Sequence, residues 1–442
     1  MKKFLSLLLV LSLVVSIGLT ASAEGAKEPI TITLFHRYVD ANIGISTEDS
    51  AVIPMLRKFQ EDYAGKVVVV EEQMQPTEYS TKYKVLAAAN NLPDVFNIAG
   101  SDIDNLLAGG LLSPLNEDLD KNPEFRDGFR PGQFDCGTRE GKIYGVPIAC
   151  GPTHLFYFNA DVYAKAGYSE FPKTWDELFD CWQKIKDMGI TPVVMGNKTG
   201  AAGEYAWMST LSDRINGSDW TLSICDGTGA RFTDEGFVKA LSVLNDISQK
   251  GFFNADVNSV EGSVALSYYL NGSAATFVDG IWNVSTIVET APAEILSATH
   301  TAVMPGFEGG KGNPLNSSGG AGWYYAINAN VEPGEKRDLC VKLMEYLVGA
   351  DSSAIMAGLG GYPAYDPGDF DRSKLHPLAI EAYDRCSLAD ASRIYDLWLD
   401  ASVCEVFNTA TQEMIAGAKT PEQTAEAINR VYEDYLLMSG KG

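Results

Sequence analysis

The sequence predicts an α/β protein of two lobes, each built on a mainly parallel β-sheet flanked by helices. The chain has 442 residues, which is too long for one simple hydrophobic core. Its first part alternates strand, helix, strand, helix, strand, an order that implies a parallel sheet with helices on its faces. A second series of strands and helices begins within residues 141–178. We interpret that stretch as the first passage of the chain from one lobe to the other.

The first lobe is predicted from apolar patterning. Strands are expected at residues 30–35, which alternate, and at 66–71, a continuous β-branched run typical of a buried parallel strand. Helices are predicted over 51–63 and 77–90, followed by a strand over 92–96. Ligands of such sheets bind at the carboxyl ends of strands. The loops after the first and third strands are therefore candidate ligand loops.

The passage between the lobes has a recognisable local pattern. Gly145 and Pro147 interrupt regular structure, and residues 155–158 form a β-prone apolar run. A later helix is predicted to begin after Thr174. Glu177 stands three residues further on, at the spacing of a capping box.

The second lobe and the tail follow the same alternation. We predict a strand over 191–195, an amphipathic helix over 232–250, a strand over 274–278 and, after a Gly/Ser/Asn-rich loop, a strand over 324–328. The tail is predicted to be helical over 333–347, 351–358 and 401–415, with a last helix starting at Thr420-Pro421.

The N-terminus has the order of a secretory signal peptide. Lys2 and Lys3 precede an apolar segment over 4–19, and Ala21-Ser22-Ala23 provides a small-residue cleavage site. We expect cleavage after Ala23 and export to the periplasm or the outer cell surface; a retained N-terminal anchor is the alternative. The first cysteine is Cys136, so the sequence offers no lipobox cysteine.

Several stretches together resemble the family 1 extracellular solute-binding proteins of ABC importers, the maltose-binding-protein-like sugar receptors. They are the turn Tyr-Gly-Val-Pro, the strand ending at Asn159 with Pro-Lys-Thr-Trp-Asp-Glu-Leu after it, residues 252–282, and Thr-Pro-Glu-Gln-Thr-Ala-Glu-Ala-Ile-Asn-Arg near the end. The resemblance implies a type II periplasmic-binding-protein fold whose lobes are joined by three hinge crossings. It places residues 24–150 and 301–328 in the first lobe, and 151–300 and 329–442 in the second.

The resemblance also implies where a sugar would bind. Aromatic rings stack on the apolar faces of sugar rings, and a carboxylate accepts hydrogen bonds from adjacent hydroxyls. On this basis the predicted ligand-binding residues are Arg37, Asp102, Glu204, Tyr205, Asp279, Trp282, Trp323 and Trp398. The assignment of Trp398 rests on the least surely aligned part of the chain.

Structural alternatives accompany these assignments. Asp102 equally fits the N-cap of a helix over 103–107. Tyr205 and Trp207 are two residues apart on a helix and face different ways, so one belongs to the core, and Tyr205, with its hydroxyl, is favoured for the ligand. Trp282 would otherwise cap the core, and the loop before Trp323 would otherwise be only a mobile hinge.

Composition and motifs limit the function classes. With 58 acidic and 34 basic residues the net charge is −24, which disfavours nucleic acid, anionic membranes and anionic ligands, although a local basic pocket overrides such an average. Seven cysteines show no zinc-like spacing. We favour buried free thiols, with a Cys136–Cys150 disulfide as the alternative.

No common catalytic motif is present, and the four histidines are scattered along the chain. We therefore expect no catalytic residues, no metal and no cofactor. The expected partners are a carbohydrate, which the several aromatics favour and which we expect to be an oligosaccharide, and the permease subunits of an ABC transporter. The protein itself is expected to be a monomer. The alternatives are a secreted glycosidase or lyase and a receptor for a non-sugar solute such as a peptide.

Overall fold

The computed structural model describes residues 28–149, 151, 153–388 and 391–440. The predicted signal peptide, residues 1–23, and Cys150 lie outside the described residues. Among the described residues, Cys136, Cys181, Cys225, Cys340 and Cys404 are free thiols. Cys136 is buried, and its Sγ donates a hydrogen bond to the carbonyl oxygen of Leu397.

The strands are short and spread over the whole chain. They are β1 Ile30–His36, β2 Val67–Gln73, β3 Val95–Ala99, β4 Thr138–Arg139, β5 Lys142–Ile143, β6 Val146–Pro147, β7 His154–Asn159, β8 Thr276–Gly280, β9 Thr299–Ala302, β10 Ser317–Gly319, β11 Trp323–Ile327 and β12 Ala391–Arg393.

Helices lie between and after the strands. They are α1 Thr47–Asp62, α2 Pro76–Ala88, α3 Ile103–Ala108, α4 Asn116–Lys121, α5 Pro123–Asp127, α6 Ala160–Lys165, α7 Trp175–Asp187, α8 Ser209–Asn216, α9 Ser218–Asp226, α10 Glu235–Gln249, α11 Gly262–Leu270, α12 Asn283–Thr290, α13 Ala293–Ala298, α14 Glu335–Val348, α15 Ala350–Gly358, α16 Pro377–Ser387, α17 Tyr395–Trp398, α18 Ala401–Ile415 and α19 Pro421–Ser439. A π-helical segment, Gly203–Met208, leads into α8. None of the helices in the described part of the chain is long and apolar enough to cross a bilayer.

The predicted capping box begins α7. Thr174 Oγ1 accepts a hydrogen bond from the backbone N–H of Glu177 over 3.2 Å, and Glu177 Oε2 accepts one from the N–H of Thr174 over 3.3 Å. Thr420 and Gln423 form the same arrangement at the start of α19, with Pro421 at the first helical position. Both helix starts are therefore fixed by local sequence.

The first sheet has the strand order β2-β1-β3-β11-β6. β1 is parallel to β2 and β3, whereas β11 is antiparallel to β3 and β6. One strand of the five thus runs against the other four, and the sheet is mainly parallel, as predicted.

The second sheet has the order β8-β7-β9, and β7 is antiparallel to both neighbours. Thr191 and Val194 bridge in parallel to Ala274 and Phe277, so the predicted strand over 191–195 pairs through single bridges only. Strands β8 and β9 and residues 191–194 therefore run in the same direction, as predicted for a mainly parallel sheet, and β7 runs against them. This strand is the counterpart of β11 in the first sheet.

Each sheet is covered by its own helices. The second-lobe core contains the fully buried side chains of Trp182, Trp207, Phe237 and Met414, and α18 and α19 pack on each other and on α10. The first sheet is covered on one face by α1 and α14.

The predicted lobe assignment needs correction at two places. Helices α14 and α15 pack on α1, so this part of residues 329–442 lies with the first sheet rather than with the second lobe. The reason is a continuous apolar contact among buried residues such as Leu56, Leu343 and Leu347. Strand β9, which extends past the predicted boundary at 301, pairs with β7 and belongs to the second sheet. After α15 the chain returns to the second sheet, because α16 packs on β9 and α12.

Candidate functional site

A cavity of about 550 Å³ lies between the two sheets, and we call it the main cavity. It is lined by Arg37, Tyr38, Asn42, Ser46, Thr47, Glu48, Gln75, Pro76, Ile148, Ala149, Thr153, His154, Tyr205, Ile281, Trp282, Asn283, Thr286, Gly320, Gly322, Trp323, Tyr362, Ile394, Asp396 and Leu397. Four of the predicted ligand residues are thus brought together: Arg37, Tyr205, Trp282 and Trp323.

Strand ends explain why these residues meet. Arg37 follows β1, and Trp282 comes two residues after β8. Trp323 is the first residue of β11 and pairs with Ala99 at the end of β3. Because β11 is antiparallel, its beginning lies at the same edge as the carboxyl ends of its parallel neighbours. The carboxyl edges of both sheets therefore face one cavity.

On the first-lobe side, Arg37 stacks on Trp323. The guanidinium carbon lies 4.2 Å from the centroid of the indole ring, a cation–π distance. Tyr79 meets the same ring edge to face, with centroids 6.1 Å apart. The Arg37 backbone N–H donates to Asn97 Oδ1 over 3.1 Å, which fixes the start of this loop.

On the second-lobe side, an imidazole ring holds two aromatics in place. The centroid of His154 is 5.0 Å from that of Tyr205 and 5.3 Å from that of Trp282, to which it is nearly perpendicular. Trp282 also lies on Gly280, where an added Cβ would stand 2.3 Å from the indole carbons. Trp282 remains 37% exposed. An open aromatic face is thus held by packing from behind.

His154 is a neutral acceptor in this wall. Burial lowers its pKa to about 4. Nδ1 lies 3.1 Å from the carbonyl oxygen of Ser318, which only accepts, so we assign the proton to Nδ1. Nε2 is then an unprotonated acceptor, and it has no hydrogen-bond partner among the described residues.

A second cavity, the side cavity, has a volume of about 360 Å³. It is lined by Lys84, Ser101, Asp102, Thr199, Asp396, Ala401, Cys404, Glu405, Asn408 and Thr409. Asp396 lines both cavities, so they adjoin. Asp102 occupies the N-cap position of α3 but makes no capping bond; it accepts a short hydrogen bond from the Tyr83 hydroxyl, and Lys84 Nζ lies 3.4 Å from its Oδ1.

The remaining three predicted ligand residues do not line either cavity as described. Glu204 is fully buried and accepts hydrogen bonds from Ser209 Oγ over 2.7 Å and from the N–H of Tyr395 over 3.0 Å. Asp279 is buried and accepts from the N–H of Gly280. Trp398 is covered by the Arg393 guanidinium at 3.5 Å. Their side chains face protein partners, and their assignment to the ligand site stays a prediction.

Tyr205 and Trp207 face different ways, as their spacing predicted. Trp207 is fully buried in the second-lobe core, while Tyr205 lines the main cavity.

The sequence reasoning missed His154 and Asp396. A signal for His154 existed, because it is the polar residue that begins the apolar strand β7, opposite Gly280 at the end of β8.

Glu204, which is fully buried, and Asp396, which is partly buried, are two acidic groups whose charges interact. Burial raises the pKa of Asp396 to about 7, and burial together with the charge of Asp396 raises that of Glu204 well above its usual range. Glu204 Oε2 and Asp396 Oδ1 have no hydrogen-bond partner among the described residues. Both groups therefore favour the protonated form.

We expect Asp396→Asn to change the pH dependence of stability. The pKa of Asp396 in the folded state lies above its ordinary value of 3.8. The contribution of Asp396 to the stability of the folded state is therefore fully present at low pH and is lost as the pH rises through about 7. The asparagine does not ionise. The melting temperature of the variant minus that of the wild type should therefore rise from pH 5 to pH 8 in a thermal scan.

The matched control is Asp371→Asn. Asp371 is exposed, and hydrogen bonds from Ser373 lower its pKa, so its carboxyl stays ionised throughout that range. The difference between this variant and the wild type should stay flat. A flat difference for Asp396→Asn as well would contradict the proposed titration.

The two sheets, their reversed strands β7 and β11 and the cavity between them are the features of a two-lobed solute-binding protein. Residues 55–367 match the bacterial extracellular solute-binding protein family, and the chain belongs to that family.

Sequence relatives include binding proteins from several bacteria. The arabinooligosaccharide-binding protein of Bacillus subtilis (strain 168) is 23% identical over 297 residues, 65% of this chain and 64% of that protein. The osmoprotective compounds-binding protein GgtB of Synechocystis sp. is 28% identical over 152 residues. These alignments span 64% and 33% of the two relatives. The maltodextrin-binding protein MdxE of Bacillus subtilis is 23% identical over 430 residues, 94% of this chain and 91% of the relative.

Solved structures share the fold over nearly the whole chain. One, from work on xylan utilization by Caldanaerobius polysaccharolyticus, has a TM-score of 0.79 at 25% identity and covers 91% of this chain and 100% of its own. A chitin oligosaccharide binding protein has a TM-score of 0.78 at 23% identity, covering 92% and 98%. These likenesses show the two-lobed fold.

Proposed function

We propose that this protein is the substrate-binding subunit of an ABC transporter and that it captures an oligosaccharide in the main cavity. The observation that carries the proposal is the set of aromatic side chains from both lobes, Trp282, Tyr205 and Trp323, around one cavity. An indole face packs on the apolar face of a sugar ring and removes it from water. The names of the B. subtilis relatives, which bind arabinooligosaccharides and maltodextrins, support the same class of ligand.

Polar groups beside the aromatics would take the sugar hydroxyls. His154 Nε2 accepts a hydrogen bond from a hydroxyl, and the carboxyl of Asp396 both donates and accepts when it is protonated. Asn283 and Gln75 add amide donors and acceptors to the lining. The adjoining side cavity, with Asp102 and Lys84, would hold a further part of the ligand.

Capture would proceed by closure of the lobes. The lining joins residues of the first lobe, such as Arg37 and Trp323, to second-lobe residues, such as His154 and Trp282. A ligand that contacts both lobes favours the closed form, because only that form completes both sets of contacts. The hinge would consist of the chain passages after β6, after β9 and after α15. We also propose export, a monomeric state and docking of the closed form on the permease subunits.

The test is a thermal-shift screen of the mature protein against mono- and oligosaccharides. A ligand that binds only the folded state should raise the melting temperature by several degrees at concentrations far above its Kd. X-ray scattering at a saturating concentration of the best sugar should show compaction. Absence of a shift with every sugar would overturn the carbohydrate assignment, and sugar cleavage by the pure protein would overturn the receptor assignment.

A further inference from the structure

The guanidinium of Arg37 lies at the main cavity without a hydrogen-bond acceptor among the described residues. Its side chain is half-buried and stacks on Trp323, and none of the described residues provides it with an ion pair or accepts a hydrogen bond from its guanidinium N–H groups. The five donors of its rigid planar fork therefore have no acceptor among the residues that the structure describes. Among the described residues that line this cavity, Arg37 is the only cation.

A second arginine–tryptophan stack in the same chain, Arg393 on Trp398, provides a comparison for the Arg37–Trp323 stack. Arg393 lies 3.5 Å from the ring centroid of Trp398, and its Nη1 is also 3.1 Å from Asp226 Oδ1. This stack thus has a protein carboxylate at its edge, whereas the Arg37–Trp323 stack has none among the described residues. The chain has 58 acidic residues against 34 basic ones, so the difference does not come from a shortage of carboxylates.

No ion pair among the described residues joins Arg37 to an acidic side chain of the main cavity. The acidic residues in the lining are Glu48 and Asp396. Glu48 lies in the first turn of α1 and accepts hydrogen bonds from Ser46 Oγ over 3.3 Å and Thr47 Oγ1 over 3.1 Å. Burial raises the pKa of Asp396 to about 7, so this group holds little negative charge below that pH.

We propose that the ligand is an acidic oligosaccharide and that Arg37 binds the carboxylate of a uronic acid residue in it. A guanidinium fork matches a carboxylate with two parallel N–H···O bonds, and Trp323 holds the fork in one plane. This inference rests on the proposed carbohydrate function and names the ligand within it. It accounts for a half-buried cation in a protein whose net charge is −24.

The test compares pairs of sugars in which one member carries a carboxylate and the other does not. Calorimetry would use trigalacturonate against its methyl ester, and xylotriose with and without a glucuronic acid substituent. In at least one pair the acidic member should bind about tenfold to a hundredfold tighter, as expected for charge-assisted hydrogen bonds. Arg37→Gln should remove that advantage, because the acidic member should lose more affinity than the neutral member. The preference of the wild type should weaken with added salt.

Arg430→Gln is the matched control, since it removes the same charge from an exposed position on α19. It should leave the preference intact. Neutral sugars that bind as tightly as every acidic one would overturn the inference while the proposed function stands. Equal losses for both members in Arg37→Gln would also overturn it, because Arg37 would then act only by holding Trp323. If no sugar binds at all, the proposed function fails, and this inference fails with it.

Discussion

Trp282→Ala is expected to weaken binding of the best oligosaccharide by about thirtyfold or more, as truncation of a central aromatic anchor typically does. The ring is 37% exposed while its other contacts, with His154 and Gly280, are already made. It therefore offers a prepared apolar surface whose ordering costs little when the ligand arrives. Isothermal calorimetry with the sugar that gives the largest thermal shift measures the effect.

Trp398→Ala is the matched control for that experiment. Its ring is half-buried, is covered by Arg393 and lies outside the linings of the two described cavities. Truncation should lower the melting temperature through lost packing and leave the Kd within about threefold of the wild type. Similar losses of affinity in the two variants would show that binding depends on the general stability of the fold, and unchanged affinity in Trp282→Ala would remove Trp282 from the site.

The fold was largely predictable because its determinants are local. The capping boxes at Thr174 and Thr420 require only residues three apart. The buried strand β1 and the amphipathic helix α10 follow from hydrophobic periodicity. The positions of α14 and α15 were not predictable in this way, since their contact with α1 joins apolar faces nearly 300 residues apart in sequence, and periodicity does not say which faces meet.

The site was predictable at some strand ends and hidden at others. Arg37 and Trp282 follow strands, and a rule about carboxyl ends finds them. His154 is the first residue of its strand, and only the antiparallel direction of β7 brings it to the same edge. The direction of a strand relative to its neighbours is set when the sheet assembles, and local sequence patterns do not predict it.

The acidic residues were the least predictable part of the site. Glu204 stands beside Tyr205, but the backbone turns its carboxyl toward Ser209 and Tyr395. Asp396 comes to the main cavity from a segment 192 positions later in the chain, so its role depends entirely on folding. An acid next to an aromatic in the sequence therefore indicates a sugar site only weakly.

Asp118→Asn is expected to lower the free energy of unfolding by about 3–5 kcal/mol, the range for breaking a buried ion pair by removing one partner. Asp118 Oδ2 lies 2.6 Å from Nη2 and 2.9 Å from Nε of Arg337, and both side chains are buried. The asparagine has nearly the same shape but leaves the guanidinium without its counter-charge. Urea unfolding followed by circular dichroism measures the difference.

The outcome tests whether this ion pair anchors α14 to the first lobe, because Arg337 is on α14 and Asp118 is on α4. Asp120→Asn on the same helix is the control: Asp120 pairs with Arg126 at the surface, and its loss should cost less than about 1 kcal/mol. A comparable, small cost for both variants would show that α14 is not anchored through this pair. A large cost for Asp118→Asn alone would establish that the ion pair fixes α14 to the first lobe. The edge of the first sheet carries Arg37 and Trp323. The geometry of the ligand cavity would then depend on two residues that are more than 200 positions apart.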